Sequence, residues 1–93
     1  MARPIRPTPF PDDARVADLE RFGRWIRAAR TQQGIAIDDA AALCGVSVQL
    51  LNALETGRRS VGLDRALHVA TQLGLAVSIT PAERLPANWG AEE

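Results

Sequence analysis

A mainly α-helical domain of four short helices, closed by one short β-strand, is the fold this sequence predicts. Three observations lead there. Apolar residues recur at three- and four-residue spacings in separate windows between Asp18 and Leu73, the signature of helices with one buried face. Glycines punctuate the windows at Gly34, Gly45, Gly57 and Gly74, and helices commonly end in a left-handed residue of this kind. Prolines keep to the ends of the chain, with Pro4, Pro7, Pro9 and Pro11 ahead of the first window and Pro81 and Pro86 after the last.

Residues 1–15 show no apolar periodicity and read as a mobile or extended Pro/Arg-rich arm. The domain proper spans residues 16–80, and 81–93 form a polar tail. In the first helix Leu19, Phe22, Ile26 and Ala29 share a face, Arg21, Arg24 and Arg27 lie off it, and Trp25 sits beside it, half in the core. Gly34 ends the helix. The second runs from Ile37 to Cys44, with Asp38 and Asp39 at the positive end of its dipole. Gly45 breaks it. Ser47 offers a hydroxyl N-cap to a third helix, Val48 to Thr56, which Gly57 closes. Arg58, Arg59 and Ser60 form a loop. The fourth helix, from about Leu63 to Leu73, should turn Leu63, Ala66, Leu67, Ala70 and Leu73 inward. Leu75, Ala76, Val77, Ser78 and Ile79 have a β-like pattern and are stopped by Pro81.

The 93 residues make one domain. A folded unit of about 60 residues buries only about 60% of its unfolded surface and is marginal alone, which invites a dimer. Net charge is zero, but its distribution is uneven. Residues 1–30 carry seven Arg against four acids, residues 31–57 carry three acids and no base, and residues 58–93 balance four against four. Every basic residue is Arg, the better bidentate partner for phosphate and guanine. A single cysteine, Cys44, forbids an internal disulfide and fits a reducing, cytoplasmic compartment. No apolar run is long enough to span a bilayer, and the N-terminus has no signal-peptide core. His68 is the one histidine. One Cys and one His far apart make neither a metal site nor a catalytic dyad, so no enzyme activity, metal or cofactor is expected.

The segment IDDAAALCGVSVQLLNALETG meets the demands of a helix-turn-helix. Ala41 is small where two helices must cross closely. Gly45 takes positive φ in the turn without steric cost. Ala40, Cys44, Val46, Leu51 and Leu54 supply the apolar offsets. The short turn swings the second helix out by roughly 90–120°, toward a major groove. Arg58 and Arg59 follow that helix and are the candidate phosphate contacts, aided by backbone N–H groups at the starts of helices two and three. The recognition helix itself has no Lys or Arg and cannot make the commonest guanine contact from within. Gln49 can pair with adenine, Asn52 can do the same or bond a phosphate, and Val48 and Ala53 can touch thymine methyls, so A/T-bearing half-sites are expected.

Through RAARTQQGI, AALCGVS and LLNALETGRR, residues 19–75 resemble the Cro/C1-type (XRE) helix-turn-helix family. The resemblance implies a four-helix, lambda-repressor-like domain. It implies that Val48, Gln49, Asn52 and Ala53 face base edges, giving an expected DNA-contacting set of Ser47, Val48, Gln49, Asn52, Ala53, Arg58 and Arg59. The family usually has a phosphate-gripping Gln at the position of Ile37, and that Gln is absent here. Glu55 lies in the last turn of its helix, where a carboxylate opposes the dipole and wants a cation. The resemblance points to Arg30 as that partner, in a structural salt bridge.

The strand after helix four is similar to that of the HipB-like antitoxins, in which strands from two protomers pair. A lone strand has unsatisfied edges, so Leu75 to Ile79 should pair with their symmetry mates in a homodimer on double-stranded operator DNA, reading a pseudo-palindrome. The resemblance implies an antitoxin of a HipBA-like toxin–antitoxin system, repressing its own operon and binding a HipA-like serine/threonine kinase toxin. Trp89 in the tail would be either a partner hook, since Trp is enriched at binding hot spots, or a side chain folded back on its own domain. Arg3 and Arg6 are candidates to enter a minor groove. The alternatives are a stand-alone XRE-family regulator without a toxin, and an interaction module that has lost DNA binding. No membrane or small-molecule partner is expected.

Overall fold

The computed structural model describes residues 4–84. Arg3 and Trp89, singled out above, lie outside the described residues. Four helices follow in order, α1 Leu19–Gln32, α2 Ile37–Cys44, α3 Val48–Thr56 and α4 Leu63–Gln72, then one turn of 3-10 helix at Ala82–Arg84. Each boundary has a local cause. The Asp18 carboxylate accepts from the Arg21 N–H at 2.8 Å and starts α1. Ser47 does the same for α3, accepting from Leu50 N–H at 3.0 Å. Such caps satisfy donors that the first turn leaves without partners. Gly45 and Gly57 end α2 and α3 in the left-handed region, at φ 71° and 66°.

The core joins Ile26 and Ala29 of α1, Ala40, Ala41 and Cys44 of α2, Leu51 and Leu54 of α3, and Ala66, Val69, Ala70 and Leu73 at α4. Burial pushes the Cys44 thiol pKa up, so this cysteine stays protonated and acts as a small apolar packing group. Small residues let the helices approach. At Gly23 a side chain would meet the α3 backbone, since a Cβ there would lie 2.3 Å from the Leu54 carbonyl oxygen. Gln33 joins the ends of α1 and α4, its side-chain amide donating to Ala29 O and Leu73 O at 2.8 Å each.

The buried face of α4 differs from the expected one. Ala66, Ala70 and Leu73 are buried, but Val69 completes the stripe, while Leu63 is 72% and Leu67 37% exposed. At about 100° per residue, positions 66, 69, 70 and 73 form one compact face. Leu63 and Leu67 fall to its side.

The segment before α1 lies along that helix. Thr8 N–H donates to Thr31 Oγ1 at 2.8 Å, and Gln32 Nε2 donates back to Thr8 O at 2.9 Å. Phe10 packs on the half-buried Trp25, ring centroids 5.3 Å apart. Arg21 pairs with Asp13 at 3.1 Å. Beyond α4, Leu75 is partly buried on the core. Residues 75–80 belong to no helix or strand within the single chain, so the strand expected at Leu75, Ala76, Val77, Ser78 and Ile79 is not formed there. The physical reason is that a strand exists through its pairing, and no segment of the described chain pairs with this one.

Candidate nucleic-acid interface

The α2–α3 turn bends the chain by 106° between the two helices, inside the range that lets a second helix stand clear of its own domain. The bend follows from the residues that bracket it. Gly45 donates its N–H to Ala42 O, and Val46 donates to Ala41 O at 3.0 Å, which closes the end of α2. Ala40 and Ala41, both buried, let the helices cross closely.

One face of α3 is thereby left outward. A groove of about 490 Å³ is lined by Ile37, Val48, Gln49, Asn52, Ala53, Arg58 and Arg59. Six of the seven residues expected to contact DNA share it. The seventh, Ser47, caps α3 at the mouth of the helix. Within the groove their roles differ. Gln49, Arg58 and Arg59 are exposed and Asn52 is half-buried. Ala53 is 95% covered, at 5% exposure, and forms floor rather than a reaching group. Ile37, at the start of α2, adds an apolar wall where a phosphate-gripping amide would otherwise stand.

Arg58 is not a free loop side chain. Its guanidinium Nη2 donates to Asn52 Oδ1. Its backbone N–H donates to Ala53 O at 3.2 Å, so the residue is fixed to the end of α3. Nothing in composition or spacing pointed to this pairing, which needs the chain reversal at Gly57.

Behind the groove, Arg30 and Glu55 form a two-pronged ion pair. Arg30 Nε donates to Glu55 Oε2 at 2.6 Å and Nη2 to Oε1 at 3.0 Å. Arg30 Nη1 donates to Ile35 O at 2.9 Å. Both residues are buried, so the bridge fixes α3 against α1 and leaves Glu55 no part in contacting a ligand. Among the described residues, no group of three or more His, Cys, Asp or Glu could hold a metal ion. His68 is exposed on α4, away from this groove.

Known proteins place this geometry. C.AhdI, a restriction-modification controller protein from Aeromonas hydrophila, is 33% identical in sequence. The match covers 62% of this chain and 88% of that one, with a TM-score of 0.57. ClgR, a clp gene regulator from C. glutamicum, is 31% identical over 62% of this chain and 74% of its own, with a TM-score of 0.58. HipB in complex with an O2 20mer is similar in fold over 74% of this chain and 96% of that one, with a TM-score of 0.66 at 14% identity. No curated protein sequence matches the chain significantly. The profile of the helix-turn-helix family HTH_3 matches residues 26–79, more than half of the chain, and the protein therefore belongs to the HTH_3 helix-turn-helix family.

Proposed function

We propose that this protein is a sequence-specific DNA-binding transcriptional repressor that grips its operator as a homodimer. The observation that carries the reading is the shared groove, in which Val48, Gln49 and Asn52 of α3 stand together with Arg58 and Arg59 of the loop that follows it. The two arginines supply positive charge that draws the polyanionic duplex to this face. Gln49 and Asn52 supply amides for base edges. A regulatory role fits the company of a restriction-modification controller and a clp gene regulator. A repressor of this kind works in the cytoplasm, where the DNA is.

Two arginines per chain is a modest basic surface for DNA, and a second copy doubles it. The single chain also leaves Leu63, Leu67, Val77 and Ile79 exposed, apolar surface that a partner copy would cover. Leu75 to Ile79 pairing with their symmetry mates satisfies the backbone of that segment.

A narrower reading makes the protein the antitoxin of a HipBA-like system, with a HipA-like kinase toxin as second partner. It is favoured by the reach of the HipB likeness, 74% of this chain against 62% for C.AhdI. That likeness is one of fold, and a kinase-like reading frame beside this gene is what the antitoxin reading requires. Without that neighbour the protein is a stand-alone regulator.

A mobility shift with the gene's own upstream DNA tests repression through an operator. The expected result is a specific complex at low salt that weakens steeply as salt rises, because each phosphate neutralised releases counterions. No complex at low salt would turn the reading toward an interaction module that has lost DNA binding.

A further inference from the structure

We propose that Arg58, steered by Asn52, reads a guanine in the major groove rather than serving as a phosphate contact; this rests on the DNA-binding reading above. The chain reverses at Gly57, whose φ of 66° is open to glycine and strained for other residues. The reversal brings the exposed Arg58 side chain back to the end of α3. Its main chain is tied to Ala53 O and its side chain to Asn52 Oδ1. Both residues line the groove that also holds Val48, Gln49 and Ala53. Arg59 lines the same groove but, among the described residues, no hydrogen bond or ion pair tethers it. One arginine is positioned on the base-reading face, and its neighbour is left to follow the backbone of a duplex.

The chemistry of the pair selects the base. A guanidinium has only donors, so the Asn52 atom that faces it must be the carbonyl oxygen. The Asn52 amide nitrogen then points away, and the pair presents N–H groups to whatever approaches. Guanine offers two acceptors in the major groove, N7 and O6, whereas adenine offers one acceptor and one donor. A lone asparagine reads adenine by accepting with its oxygen and donating with its nitrogen. With one lone pair of that oxygen taken by Arg58, the guanidinium fork and the amide N–H groups make the pair predominantly a donor surface, which matches the two acceptors of guanine better than the mixed edge of adenine. The planar fork of arginine fits that edge bidentately, and prior positioning by Asn52 lowers the rotamer entropy lost on binding. The apolar, amide-bearing helix alone implies an A/T half-site. The Asn52–Arg58 pair adds a G·C position beneath the C-terminal end of α3.

The test starts from a random duplex pool, from which the wild-type protein selects its site. Single base-pair variants of that site are titrated against wild type, Arg58→Ala, Asn52→Ala and Arg59→Ala. Wild type is expected to prefer G·C at one position by about tenfold to a hundredfold. Arg58→Ala should abolish that preference and leave the other positions intact. Asn52→Ala should blunt it at the same position, and a variant carrying both Asn52→Ala and Arg58→Ala should be no worse there than Arg58→Ala. Arg59→Ala should weaken all duplexes evenly and lower the salt slope by about 1. Even weakening of all duplexes by Arg58→Ala would overturn the assignment, as would loss of discrimination at an A·T position instead. A wild-type protein that enriches no duplex overturns the DNA-binding reading, and this assignment with it.

Discussion

Arg30→Ala should cost this domain about 3–5 kcal/mol, because it strands the Glu55 carboxylate in the interior without its cation. Both partners are nearly covered, with side chains 10% and 3% exposed, so water does not replace the lost bonds. Arg30 also supports the Ile35 carbonyl, which loses its donor in the same variant. At about 4–8 °C per kcal/mol for a domain of this size, the melting temperature should fall by about 12 °C or more. The pair itself is a weak source of net stability, since two charges had to be desolvated to form it. Replacing both partners by apolar residues, Arg30→Met with Glu55→Leu, should therefore recover most of the loss. A thermal melt of Arg30→Ala within about 2 °C of wild type would deny the bridge a structural role. Failure of the double variant to recover would place its contribution in positioning α3 rather than in charge pairing.

Gly23→Ala should be the other severely destabilising change, and its sign is the telling part. In an exposed helix interior, Gly to Ala stabilises by roughly 0.5–1 kcal/mol. Here the added Cβ would meet the Leu54 carbonyl oxygen at 2.3 Å and the Glu55 carbonyl oxygen at 2.5 Å. These are backbone atoms and cannot rotate aside. α1 must move off α3, at a cost of about 3 kcal/mol or more, the upper end for overpacked cores. The displacement would also pull Arg30 from Glu55 and tilt the recognition helix, so DNA binding should fall with stability. Arg24→Ala, on the exposed side of the same helix, should stay within about 0.5 kcal/mol of wild type. Chemical denaturation of the two variants decides the matter, and a Gly23→Ala domain as stable as wild type would show that the helices have room between them.

How far the sequence reached depends on whether a feature is local. Helix boundaries are set by neighbours in the chain, and Ser47, Gly45 and Gly57 announced them through their capping and turn chemistry; the Asp18 cap became visible only in the structure. The helix-turn-helix was legible for the same reason, as its demands fall within residues 37–56. The face of α4 was read less well. Apolar periodicity allowed Leu63 and Leu67 inside, and only the orientation of α4 against α2 and the shared core chose Val69 instead. Gly23 had a signal that went unused, because a glycine inside a helix at about 1 kcal/mol disadvantage usually has a packing reason. The Asn52–Arg58 bond had none, since it depends on where the chain goes after Gly57. Ile37 was noted for the amide it lacks and not for the wall it builds.

The central claim is that the outward face of α3, with the loop that follows it, is the surface that meets DNA. Amide chemical-shift mapping by NMR, during titration with a duplex selected by the protein, tests this most directly. Large shifts are expected on Val48, Gln49, Asn52, Arg58 and Arg59, with the start of α2 close behind. Shifts concentrated on Leu63, Leu67 and the exposed side of α4, with α3 unmoved, would contradict it.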